Sequence, residues 1–323
     1  MLSAAARIVV VAGIAGISAR AAAAEPTAEP AWHADVHLVF TVGAERWVAL
    51  DDGSASDLTA YSRPVLFATD GVDGVAIAAV EPARLPEPAR AWRDRVVVVG
   101  GACREQLAAF AYIGRATGDL AYNNDDHGHH PPWTPAWIAE RGRVVLAARL
   151  SRCSGAFAQP AAAATAVAFE RVTGNAASAA AAKARAALLA SSFAAKAADD
   201  WREAEVTTPW TQDVRVDVIV ARDPRNHATW VSARVHTRFR SGQPFASFWG
   251  LFRLQADGSL EQVALLEPRL EQINSLVDLD GDGTPELIGS ALVKGEIALD
   301  AHGDVISELA VPWVVGCFLG TDG

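Results

Sequence analysis

The segment Asp278-Leu279-Asp280-Gly281-Asp282-Gly283-Thr284-Pro285-Glu286-Leu287 sets acids at alternate positions around two glycines. Because Asp278, Asp280 and Asp282 alternate, one tight turn aims three carboxylates at a common point. Gly281 and Gly283 supply positive-φ freedom that residues bearing a Cβ resist. Carboxylates gathered in this way repel one another unless a cation lies among them. A hard divalent ion suits an all-oxygen set, and the flexible spacing favours Ca²⁺ over Mg²⁺. The alternative is an acidic hairpin turn that holds no ion, although solvated turns rarely need three alternating Asp and two Gly together.

Measured against an EF-hand loop, Asp278, Asp280 and Asp282 take positions 1, 3 and 5, and Gly283 takes the turn glycine at position 6. Position 12 is then Gly289, where that loop needs a bidentate Glu. The flanks, 273–277 and 287–293, read as strands rather than helices. The ten residues resemble instead the Ca²⁺ loop of FG-GAP and VCBS-type repeats, D-x-D-G-D-G-x-x-[DE]-[LI] between two strands. The resemblance implies Asp278, Asp280, Asp282 and Glu286 as side-chain ligands and Thr284 as a backbone-carbonyl ligand. It covers this loop and its flanks in one copy. The stretch Thr69-Asp70-Gly71-Val72-Asp73-Gly74 lacks the alternating carboxylates, so a multi-blade propeller is not expected.

A second group of metal-ligating types is His127, His129 and His130, close to Asp125 and Asp126. Imidazole suits Zn²⁺, Cu²⁺ or Ni²⁺, and a metal-dependent enzyme using this loop is the alternative functional reading. Ligands need a rigid frame, which Gly128 and Pro131-Pro132 do not favour. The chain carries no G-x-S-x-G, H-E-x-x-H, G-x-G-x-x-G or G-x-x-x-x-G-K-[ST]. No catalytic or nucleotide-binding residue is assigned.

The 323 residues carry 28 basic and 38 acidic side chains, a formal charge of −10. Met1–Ala24 reads as a secretory signal peptide: Arg7, a short apolar run from Ile8 to Ala19, then Ala22-Ala23-Ala24 before Glu25. Removing it takes away two arginines, Arg7 and Arg20, and no acid, and leaves a more acidic chain. Such a chain is a poor candidate for nucleic acid. No later stretch is long and apolar enough for a helical membrane span. Export permits a disulfide. Of the three cysteines, Cys103 and Cys153 each follow a strand-like run, so their pairing is expected, with Cys317 left over; the alternative is three free buried thiols.

The elements that would position these residues are mostly strands. Residues 25–31 form a tether with no expected structure, and 32–172 form a β-rich half. Residues 173–205 form a helical connector, Ala-rich and free of Pro from Asn175 to Lys196. Residues 206–323 form an antiparallel half holding the Asp-rich loop. Val214, Val216, Val218 and Val220 alternate cleanly, and Asp257-Gly258 favours a hairpin turn. Residues 105–117 fit a helix or a strand equally. Trp230 and Trp249 fit a core role, while Trp133 and Trp137 remain open between core and partner contact. The expected fold class is α+β, mainly antiparallel β-sheet with one Ala-rich helix between two β-rich halves. The expected function is an exported β-rich module for a protein or glycan partner, with a structural Ca²⁺ stabilising a hairpin.

Overall fold

Residues 36–51, 65–69, 73–87, 89–118, 138, 143–212, 214–237, 244–267, 270–291, 295–309 and 313–315 are those described by the structure, a computed structural model. Proposed features in residues 1–35, the tether and signal segment among them, lie outside these. So do His127, His129, His130, Trp133, Trp137 and Cys317.

The first half forms β1 (His37–Val42), β2 (Glu45–Ala49), β3 (Val65–Thr69), β4 (Asp73–Val80), β5 (Val96–Val99), β6 (Cys103–Gln106), β7 (Phe110–Gly118), β8 (Arg143–Leu150) and β9 (Phe157–Pro160), with β-branched runs such as Val96–Val99 suiting the extended backbone. They make one sheet in the order β3-β4-β7-β8-β2-β1-β9-β5-β6. The segment 105–117, ambiguous from sequence, holds the end of β6 and most of β7, joined through residues 107–109. Two short strands follow, β10 (Val167–Ala168) and β11 (Glu170–Arg171).

The Ala-rich connector is two helices, α1 (Asn175–Leu189) and α2 (Ser192–Glu203), rather than one. The break falls at Ser191, whose hydroxyl accepts the Ala194 N–H at 3.3 Å and starts a new helix. The N-cap of α1 is Gly174, and Asn175 is its first helical residue. Ala180, Ala184 and Leu188, four residues apart, are the buried stripe of α1.

Three of the alternating valines, Val216, Val218 and Val220, lie in β12 (Arg215–Arg222), which begins a meander with β13 (Thr229–His236), β14 (Ser247–Leu254) and β15 (Leu260–Leu266). Gly258, at φ +79°, closes the β14–β15 hairpin. A second meander runs through β16 (Leu270–Asp278), β17 (Glu286–Ala291), β18 (Glu296–Leu299) and β19 (Val305–Leu309). The short β10 joins β16 and β11 joins β12, giving two five-stranded sheets. The last strand, β20 (Trp313–Val315), returns to the first sheet parallel to β7. Pairing among the other described strands is antiparallel, as an α+β, mainly antiparallel chain requires.

The sheets stack in layers. In β16–β18, Val277, Ile288 and Ala298 enter a core shared with Leu38, Phe40, Ala111, Ile113 and Val145 of the ten-stranded sheet. Their neighbours Leu276, Leu287, Ile297 and Leu299 point the other way, into a core with Ala221, Trp230, Trp249 and Leu251. Period-two alternation therefore buries both faces of the β16–β19 sheet. The far side of the β12–β15 sheet carries α1 and α2 over Val220, Val231, Val235 and Phe248. The far side of the ten-stranded sheet holds a further core of Val97, Phe110, Tyr112 and Leu146. Trp230 and Trp249 are buried, as expected for core residues.

A disulfide joins Cys103 and Cys153, with Cα atoms 5.7 Å apart. It ties the start of β6 to the turn after β8. No helix among the described residues is long and apolar enough to cross a membrane.

Candidate metal centre

The Asp-rich loop connects β16 to β17 at one end of the middle sheet. Val277 pairs with Glu286 across the hairpin, so the ladder delivers Asp278 and Glu286 to the same end. Gly281 and Gly283 adopt φ +88° and +84°, the region that their lack of a Cβ permits. Within this turn, one carboxylate oxygen each of Asp278, Asp280 and Glu286 lies within 4.8 Å of the others. Three of the expected acidic ligands thus converge.

The loop is held by its own acids. Asp278 is fully buried. Its Oδ1 accepts the Gly281 N–H at 2.5 Å and its Oδ2 the Gly283 N–H at 2.8 Å. Asp280 Oδ1 accepts the Asp282 N–H at 3.1 Å. Asp282 is exposed and is not one of the three converging acids; its Oδ1 accepts the Thr284 N–H at 2.6 Å. Thr284 itself is half-buried. Glu286 Oε2 accepts the Leu279 N–H at 2.6 Å, from the far side of the turn.

Electrostatics separates Glu286 from its neighbours. Burial raises its carboxyl to about 8; the Leu279 N–H pulls the other way, and the nearby Asp280 and Asp278 charges raise it further. A carboxyl with this value is protonated at neutral pH unless a cation replaces the proton.

One participant was not legible in the sequence. Arg225, in the turn between β12 and β13, donates from a terminal guanidinium nitrogen to Asp278 Oδ2. The same guanidinium reaches the fully buried Asp223, with Nε to Oδ1 at 3.2 Å and a terminal nitrogen to Oδ2 at 3.3 Å. Asp223 also accepts the Arg225 backbone N–H at 2.8 Å, an Asx-type turn. Desolvation opposes the Asp223 charge, but the Arg225 side chain and the turn N–H groups outweigh it and hold its carboxyl below the usual value. A Cβ placed on Gly283 would lie 3.2 Å from the Asn226 amide nitrogen, so this turn also packs against the loop. Arg225 and Asp278 are 53 residues apart, and no local spacing announces their contact.

Gly289, at EF-hand position 12, settles that comparison. A Cβ there would come 1.9 Å from the Gln272 carbonyl oxygen, so the strand pair admits no side chain at this position.

The donor set is all oxygen, partly buried and anionic, which fits a hard divalent cation. No protein-family model, no curated protein and no solved structure matches this chain, so the reading of the site rests on its residues and their geometry.

Proposed function

We propose that the chain is an exported calcium-binding β-rich protein, a binding or scaffold module for a protein or glycan partner, in which Ca²⁺ stabilises the β16–β17 hairpin. One observation carries the reading. Asp278, Asp280 and Glu286 converge within 4.8 Å on a turn whose Gly281 and Gly283 occupy positive φ. The resemblance of the same ten residues to the FG-GAP and VCBS-type loop points to the same ion. Asp278, Asp280, Asp282 and Glu286 would supply side-chain oxygens and Thr284 its carbonyl. The ion would neutralise acids that otherwise repel across the mouth of a buried strand pair.

The Cys103–Cys153 bridge agrees with export, because such bridges persist in oxidising compartments. Calcium there is abundant enough for the weak sites of extracellular modules, with dissociation constants of about 10⁻⁴–10⁻³ M. The direct test is a titration of Ca²⁺ into the chain followed by calorimetry, beside Asp280→Ala. The expected result is one site in that range, lost in the variant. Absence of calcium heat in the wild-type chain at millimolar ion contradicts the proposal.

A further inference from the structure

The acidic loop already has a cation beside it. Asp278 is fully buried, and both of its oxygens are engaged, Oδ1 by Gly281 and Oδ2 by Gly283 and Arg225. The Arg225 side chain is 38 % exposed, so its charged end has a path to water. One anchor besides Asp278 holds it in place, the Asp223 carboxylate, which accepts from both the Arg225 guanidinium and the Arg225 backbone N–H. Asp223 and Arg225 belong to the β12–β13 turn, whereas Asp278 belongs to the end of β16. The Arg225–Asp278 pair therefore ties two different sheets together at the loop.

We propose that Arg225 is a resident counter-ion of the Asp278 carboxylate and that a divalent cation binds the loop by displacing it from Asp278 Oδ2. This rests on the reading of the loop as an ion site. A guanidinium and a divalent ion cannot both sit against one carboxylate oxygen without like-charge repulsion. Ion binding then breaks a contact between sheets while it closes the hairpin within one of them. Arg225 retains Asp223 throughout, so the displaced guanidinium remains paired. The device lowers ion affinity and makes the packing of the β12–β13 turn sensitive to the ion.

The test is a chelator-competition titration of Ca²⁺ into the whole chain as wild type, Arg225→Lys and Arg225→Gln, with thermal melts to establish folding. Arg225→Gln removes the competing charge and is expected to bind about tenfold more tightly, or about 1.4 kcal/mol. Arg225→Lys keeps the charge and is expected to bind within about threefold of wild type. In the wild-type chain, the NMR signal of the Arg225 Nε–H should shift with the same midpoint as calcium binding. A folded Arg225→Gln that binds no more tightly than a calcium-binding wild type overturns the displacement and leaves the ion site standing. If wild type and both variants bind no calcium, the ion site and the displacement fall together. Should Arg225→Gln fail to fold, an Arg225 signal unmoved at calcium saturation of the wild type overturns the displacement.

Discussion

The Cys153 backbone N–H donates to Glu105 Oε2 at 2.8 Å, two residues along β6 from the cysteine to which Cys153 is bonded. The other Glu105 oxygen accepts the Ser151 N–H at 2.5 Å and the Ser151 hydroxyl at 2.6 Å. One buried acid thus caps the turn that the disulfide clamps. Desolvation would raise its pKa, but the donors of Ser151, Cys153 and Arg152 outweigh burial and hold it below its usual value of 4.5.

A depressed folded value stabilises the chain above the unfolded value, and that stability is lost as pH falls through the folded one. Urea melts at decreasing pH should therefore show a Glu105-dependent loss only below about 4.5. Glu105→Gln puts an NH₂ where backbone donors expect an acceptor. It should cost roughly 2–3 kcal/mol at pH 7, with the gap to wild type closing in acid.

Removing the bridge itself by Cys103→Ser with Cys153→Ser frees a closed loop with a sequence separation of 50. The expected cost is about 2–4 kcal/mol, read from denaturant midpoints. Reducing agent should reproduce the cost in wild type and change nothing in the double variant.

The Glu286 carboxyl makes the opposite pH prediction for ion-free protein. Its folded value of about 8 lies above the usual 4.5. The associated stability is therefore complete below the unfolded value and disappears as pH rises from 4.5 through 8. In EGTA, wild type should be less stable at pH 9 than at pH 6, and Glu286→Gln should be the more stable of the two at pH 9. Calcium should reverse the order, because the ion takes the place of the proton on Glu286 and has no comparable hold on Gln.

Gly289 lies in the strand next to the loop, and its space is closed by the Gln272 carbonyl. Gly289→Ala should separate β16 from β17 and cost roughly 2 kcal/mol or more, with calcium binding weakened in parallel. Denaturant melts and calcium titration of one preparation check both effects.

Patterns confined to neighbouring residues were readable in the sequence. Val216, Val218 and Val220 alternate within β12; Asp257-Gly258 closes the hairpin between β14 and β15; the two strands leading to Cys103 and Cys153 bring the thiols together. Residues 110–113 were ambiguous for a physical reason. Phe110 and Tyr112 fill one core while Ala111 and Ile113 fill another, so a strand buried on both faces shows no polar alternation. The helix break at Ser191 was hidden because Ala on both sides favours helix equally, and only the cap distinguishes the two. At the loop, Glu286 entered only through the resemblance to FG-GAP and VCBS-type loops, while the alternating spacing foretold the meeting of Asp278 and Asp280 but also placed there Asp282, which is exposed and outside the group. Neither could foretell Arg225, which reaches the site only through the stacking of two sheets.

The most direct measurement is thermal melting of the wild-type chain in excess Ca²⁺ and in EGTA, beside Asp280→Ala/Asp282→Ala. At about 100 times the dissociation constant, the ion should add about 2.7 kcal/mol. For a chain of 323 residues that raises Tm by roughly 4 °C, and the double variant should show no rise. Identical wild-type melts under the two conditions would contradict a structural ion in this loop.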